Sequence, residues 1–141
     1  MVDIGYKPAV FRMAVATGFI RLKADTVKKI KTGKLPKGDV RSVAQIAAVL
    51  AVKKTPGLVL LTHPIPITGI DVNVRIEKGG VRVEVRVRST GQTGVEMEAL
   101  AGVAGALLTI WDMTKSLEKD QAGQYPTTHI KEIRVLKKVK I

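Results

Sequence analysis

The chain has 141 residues, 45% hydrophobic and 26% charged, which suits one domain, spanning 1–141, with a real core and leaves too little for two. Lys and Arg outnumber Asp and Glu by 24 to 12, and a net +12 points to an anionic partner: nucleic acid, an anionic membrane surface or a phosphorylated small molecule. The absence of cysteine excludes disulfides, thiolate metal sites and cysteine nucleophiles, and the two histidines, His63 and His129, are too few and too far apart for a zinc motif.

Met1 to Pro8 shows no period and reads as an extended lead-in. Val10 to Leu22 reads as a strand with Phe11, Met13 and Val15 on one face; the apolar phase moves to Ile20 and Leu22 after Gly18, which predicts a bulge there. Asp25 or Thr26 is expected to cap a short helix ending near Gly33. After a loop at Lys34 to Gly38, Asp39 supplies an N-cap for a helix over Val40 to Lys53 that is apolar on most of its circumference and is expected to be deeply packed. Pro64 and Pro66 keep at least the second half of Leu58 to Ile67 out of a central strand.

Asp71 to Ser89 carries the clearest local pattern. Val72, Val74 and Ile76 alternate with polar residues, as do Val81, Val83, Val85 and Val87, on either side of Gly79-Gly80. A two-residue turn at these glycines sets Val72 against Val87, Val74 against Val85 and Ile76 against Val83, and on the other face Glu77 against Arg82, Arg75 against Glu84 and Asp71 against Arg88. Thr93 to Lys115 then reads as the start and body of one long helix ending near Glu118 to Asp120. Thr93 and Glu96 have capping-box spacing, the body is nearly uncharged, and Asp112 and Lys115 share a face at i and i+3. A turn-rich link leads to a last strand through Ile133 and Val135. The order predicts an α+β ferredoxin-like sandwich, an antiparallel sheet with helices packed on one face. No apolar run approaches the ~20 residues of a membrane span and the N-terminus has no apolar signal core, so a soluble, cytoplasmic protein is expected.

Polar residues set in apolar or constrained stretches are the candidates for chemistry: Lys7, Lys37, Lys53, His63, Glu96, Glu98, Asp112 and Lys115. Each has a plain alternative. Glu96 can simply complete the capping box, Asp112 and Lys115 can be a surface ion pair contributing roughly 0.3 kcal/mol, and a lone His63 is more often a hydrogen-bonded structural residue than an acid or base.

Four strings, KGDV (37–40), LLTHPIPI (60–67), TGVEMEAL (93–100) and LTIWDMTK (108–115), with MVDI at the start and AVKKT at 51–55, together resemble the molybdenum cofactor synthesis C protein family, the cyclic pyranopterin monophosphate synthases. The resemblance runs in one order from Met1 to about Asp120. Thr62 stands where the family usually has Cys, Trp111 where it usually has Tyr, and the chain stops at LKKVKI where the family often adds a Lys-Ser-Gly-Gly-Lys-Ser-Gly segment, so that Lys138 is matched only loosely to the first of those lysines.

The resemblance implies a reaction: 3′,8-cyclo-7,8-dihydro-GTP is rearranged to a pyranopterin and a cyclic phosphate closes with loss of pyrophosphate. It implies that Asp112 and Lys115 are the acid–base pair, that Lys7, Arg12, Lys37 and Lys53 surround the triphosphate, and that Leu61, Thr62, His63, Glu96, Met97 and Glu98 contact substrate, with Glu98 accepting from guanine-derived N–H groups. It also implies a homohexamer, a trimer of dimers with sites at the dimer interface. The small residues Ala101, Gly102, Ala104, Gly105 and Ala106 and the charged hairpin face would permit such packing. No motif demands a metal, though magnesium could accompany the triphosphate. The rival readings are a basic ferredoxin-like RNA-binding module, which needs stacking aromatics and finds only Phe11 and Phe19 in edge strands, and an inactive structural oligomer.

Overall fold

The computed structural model describes residues 1–141, in which the alternating and helical patterns form β1 (Val10–Arg21), α1 (Ala24–Lys31), α2 (Val40–Lys53), the single turn α3 (Thr55–Leu58), β2 (Ile67–Glu77), β3 (Gly80–Gly91), α4 (Glu96–Glu118) and β4 (His129–Lys140). The strands make one antiparallel sheet in the order β2-β3-β1-β4. β3 lies between β1 and β2, and β1 between β3 and β4, so the chain is two split βαβ units, the expected ferredoxin-like arrangement. Val81, Val83, Val85 and Val87 of β3 are fully buried against α2 and α4, each contributing about 1.5–3 kcal/mol over exposure. Their neighbours Arg82, Glu84, Arg86 and Arg88 take the other face. No helix is long and apolar enough to cross a membrane.

The hairpin register differs from the expected one by two residues. Val72 lies opposite Val85, Val74 opposite Val83 and Ile76 opposite Val81, because the turn is Lys78-Gly79 and Gly80 already belongs to β3. Gly79 takes φ 83, a conformation that L side chains rarely adopt. A two-residue slip keeps every side chain on its face, so the expected pairs Glu77–Arg82 (3.2 Å) and Asp71–Arg88 (2.6 Å) survive as diagonal contacts. Arg75 instead faces Arg82 and reaches Glu77 at 3.8 Å.

β1 has no bulge at Gly18. Its pairing with β3 runs unbroken from Val10–Gly91 to Arg21–Gly80. The helix-facing residues are Ala14, Ala16, Gly18 and Ile20, small because α4 crosses there: a Cβ on Gly18 would lie 2.7 Å from Val103 Cγ1. Phe11, Met13 and Val15 belong to the opposite face throughout, and the irregularities sit in β4, where Glu132 takes φ 59. On that opposite face Phe19 is roofed by Arg82 and Lys131, whose charges lie 5.1 and 5.3 Å from its ring centre.

Two expected caps are absent and one is present. Asp39 accepts from the Ser42 N–H at 3.0 Å and caps α2. Asp25 and Thr26 both lie inside α1, and neither caps it. The Thr26 hydroxyl donates instead to the fully buried carboxylate of Glu118, which also accepts from Thr128 Oγ1 at 2.7 Å and from the Lys23 N–H at 3.1 Å. The end of α4 thereby ties together the start of α1 and the start of β4. α4 begins at Glu96, after Val95, and Thr93 does not cap it.

α2 runs antiparallel to α4, with Ala48 and Val52 against Gly102 and Ala47 and Ala51 against Gly105. The small residues of α4 thus serve first for helix contact within the chain. Only the alanine side of α2 is deeply packed, contrary to expectation. Ile46 is 69% exposed, and Val43 and Leu50 share its outward side; Leu108 of α4 is also exposed, at 61%, beside the cleft of Trp111 and Tyr125.

Candidate active site

Where β1 begins, β3 and β4 end and α4 starts, the chain encloses a cavity of about 580 Å³. Each element contributes for a local reason. α4 enters it N-terminus first, so its free N–H groups and the positive end of its dipole face the cavity. Leu61, Thr62, His63 and Ile65 reach it from the Pro-interrupted loop ahead of β2, and Lys7 and Arg12 from the start of the chain. Glu96, Met97 and Glu98 come from the first turn of α4, and Lys138 and Lys140 from the end of β4.

The charges here are arranged, not scattered. Arg12 is 8% exposed and donates to the carbonyls of Gly91 (3.4 Å) and Gln92 (3.2 Å), leaving its positive charge without a carboxylate partner. Lys138 Nζ lies 2.5 Å from Glu96 Oε1. Burial pushes the Glu96 carboxyl up, but the Lys138 hydrogen bond and its own backbone N–H outweigh this and hold it below the usual range. Glu98 is 3% exposed, and burial, with the Glu96 charge adding, raises its carboxyl above the usual range. A raised carboxyl favours folding while it is protonated and costs stability as pH rises through its titration. Glu98→Gln is therefore expected to raise Tm by about 2–4 °C at pH 7, with the gain fading below pH ~4 where both states are protonated, while turnover falls. Thermal melts at the two pH values read this directly.

The second cluster lies at the other end of α4. Asp112 accepts from Lys115 Nζ at 2.8 Å on one oxygen and from Lys37 Nζ at 2.8 Å on the other, and Lys37 also donates to the Asp112 carbonyl at 3.1 Å. Lys115, and then Lys37, hold the Asp112 carboxyl down at about 2, and Asp112 raises the Lys115 ammonium in return. Trp111 and Tyr125 stack edge to face at 5.1 Å and line a shallow cleft with Asp112 and Lys115.

The structure brings Lys7, Arg12, Leu61, Thr62, His63, Glu96, Met97, Glu98 and Lys138 into one cavity. It does not bring Asp112 and Lys115 there: fourteen residues of helix from Glu98 to Asp112 are about 21 Å. Lys37 sits on Asp112, not in the cavity, because α2 starts at the C-terminal end of α4. Lys53 lies in a separate shallow groove with Ala51, Pro56 and Leu58. Lys140 and Gln92 are cavity residues that the sequence reading missed, as is Tyr125 beside Lys115. The spacing Lys138-x-Lys140 on a strand, which puts both side chains on one face, was the signal for Lys140.

The sequence pattern of the MoaC family matches residues 1–140. The chain belongs to the MoaC family. It is 62% identical to a probable cyclic pyranopterin monophosphate synthase of Aeropyrum pernix over 96% of this chain and 92% of that one. Probable cyclic pyranopterin monophosphate synthases from Methanosarcina acetivorans and Pyrococcus horikoshii are 59% and 57% identical, each over 99% of this chain and 89% and 88% of theirs. In this member of the MoaC family Thr62 donates to the Val59 carbonyl at 2.8 Å, a loop-stabilising bond, and Trp111 meets Tyr125 while Asp112 beside it keeps both lysine partners.

Proposed function

We propose that the chain is a cyclic pyranopterin monophosphate synthase of molybdenum cofactor biosynthesis, a lyase that converts 3′,8-cyclo-7,8-dihydro-GTP to cyclic pyranopterin monophosphate with release of pyrophosphate. The observation that carries this reading is the cavity at the start of α4, where cations suited to a polyphosphate stand beside a buried carboxyl suited to a purine-derived ring. Family membership supplies the reaction.

The residues divide the work. Lys7 and Arg12 offset phosphate charge and favour departure of pyrophosphate by stabilising the negative charge that develops on it. Glu98, whose carboxyl burial raises above the usual range, faces the ring edge as a proton-exchanging group, and His63 reaches the same space. Lys115, kept protonated by Asp112, is a proton donor, and Asp112 is a fixed carboxylate that orients it. Magnesium would have to enter with the triphosphate, since the chain brings together no three His, Asp or Glu side chains to hold it.

About 21 Å separates these groups within one chain, so we place the working site between two chains. Gly105 is midway between Glu98 and Asp112 along α4. A two-fold axis beside Ala104 and Leu108 sets the Asp112 end of each α4 against the Glu98 end of its partner, and the exposed Ile46, Leu50 and Leu108 supply an apolar surface for that contact. The family resemblance is what supports assembling three such dimers into a homohexamer. Phe11 and Phe19 both lie on the interior strand β1 and not at an edge; the RNA-binding rival is disfavoured because Phe19 is buried under Arg82 and Lys131, leaving Phe11 as a single exposed ring where a stacking platform needs more.

The test is anaerobic incubation of the pure protein with the cyclic dihydro-GTP, following pyrophosphate and the oxidised pterin by chromatography. Turnover is the expected result. The absence of both binding and turnover would overturn the reading.

A further inference from the structure

We infer that Lys140 is a substrate-anchoring residue, a free cation that grips the phosphate chain of a polyanion at the mouth of the cavity by α4. The choice of ligand rests on the function proposed above; the placement of the side chain rests on strand register. Lys138 lies opposite Ala14 of β1 and Lys140 opposite Arg12, both on the helix side of the sheet, whereas Lys137 lies opposite Val15 on the far side. Two residues of strand are about 6.7 Å, so the ammonium groups of 138 and 140 stand side by side at the cavity. The Ile141 N–H donates to the Phe11 carbonyl at 3.1 Å, which keeps Lys140 in register with β1.

The two lysines are in different states. Lys138 is engaged by Glu96 at 2.5 Å, while Lys140 makes no ion pair and no side-chain hydrogen bond. Its cross-strand partner is Arg12, itself bound only to carbonyls. A like-charge pair directly across a ladder costs stability, and with Lys7 also free of any carboxylate the cavity holds four cations against two carboxylates, one of them raised by burial. Lysines carried only for solubility have the other face of β4 open to them, where Lys131 and Lys137 are. Arg12 acts on the Glu96 carboxyl through its charge but, like Lys140, makes no ion pair, and an anion between the two would relieve this like-charge pair; a polyphosphate has the oxygens to reach both.

The test titrates inorganic tripolyphosphate into the protein by calorimetry at fixed ionic strength, comparing wild type with Lys140→Gln, Lys140→Arg and Lys137→Gln. Lys140→Gln is expected to weaken binding about tenfold or more and to raise KM with kcat little changed. Lys140→Arg restores most of the affinity, and Lys137→Gln, on the opposite face, matches wild type. Unchanged tripolyphosphate affinity in Lys140→Gln, or equal losses in the 137 and 140 variants, would overturn the assignment. Loss of tripolyphosphate binding in Lys140→Gln, in a wild-type protein that does not turn over the cyclic dihydro-GTP, keeps the anion site and sinks the proposed reaction; turnover with unchanged tripolyphosphate affinity does the reverse.

Discussion

Lys115→Ala is expected to lower kcat by about 10²–10⁴-fold with little change in fold or in substrate affinity. Lys115 is partly exposed and packs little, so its removal costs few contacts; on the proposed function it removes the proton donor that Asp112 holds at 2.8 Å. Asp112→Ala should fall with it, and Asp112→Asn separates the roles. Asp112 raises the Lys115 ammonium, first by hydrogen bond and then by charge, so the neutral amide should bring the basic limb of the pH profile of kcat to lower pH. The acid limb should not move, because Asp112, held at about 2 by Lys115 and then Lys37, is ionised throughout the working range. An acid limb that disappears in Asp112→Asn would contradict the assignment of Asp112 as a fixed carboxylate.

Ile46→Arg is expected to abolish most turnover while leaving every site residue in place. Ile46 is on the outward side of α2, 69% exposed, and lines neither the cavity at the start of α4 nor the cleft at Asp112. A guanidinium there should leave the monomer folded, with an unchanged circular dichroism spectrum, since it removes no buried group. Burying that charge between two apolar helix faces should weaken association by about 2 kcal/mol or more. Sedimentation should then show smaller species, with activity falling in step with the loss of dimer. A fully active monomer would mean that the two ends of α4 do not work together.

The sequence was legible where a pattern has a local cause. The alternation in 71–89, the Asp39 cap and the order of elements were enough for the ferredoxin-like fold. The register was not, because turns at 78–79 and at 79–80 give pairings two residues apart that keep all valines on one face; what separates them is the backbone of Gly79 and the approach of Gly80 to β1. The Thr93–Glu96 box failed for a non-local reason: Glu96 is held by Lys138, which arrives only when β4 closes the sheet. The same holds for the site. The residue types could be recognised, but the separation of Lys37 from Lys7 and Arg12 is set by the antiparallel packing of α2 on α4. Nothing near position 37 reports that packing. The same packing brings the end of α2 toward the start of α4, yet Lys53 lines its own groove with Ala51, Pro56 and Leu58 and joins neither cluster.

The site shared by two chains is the central claim, and complementation tests it most directly. Asp112→Ala and Glu98→Gln, each inactive or nearly so alone, would be co-expressed in equal amounts and assayed for pyrophosphate release from the cyclic dihydro-GTP. In a mixed dimer one of the two sites takes Asp112 and Glu98 from unmutated positions, so random pairing predicts about a quarter of wild-type activity. Activity no greater than the sum of the two parents would contradict the shared site and return Asp112 and Glu98 to separate functions.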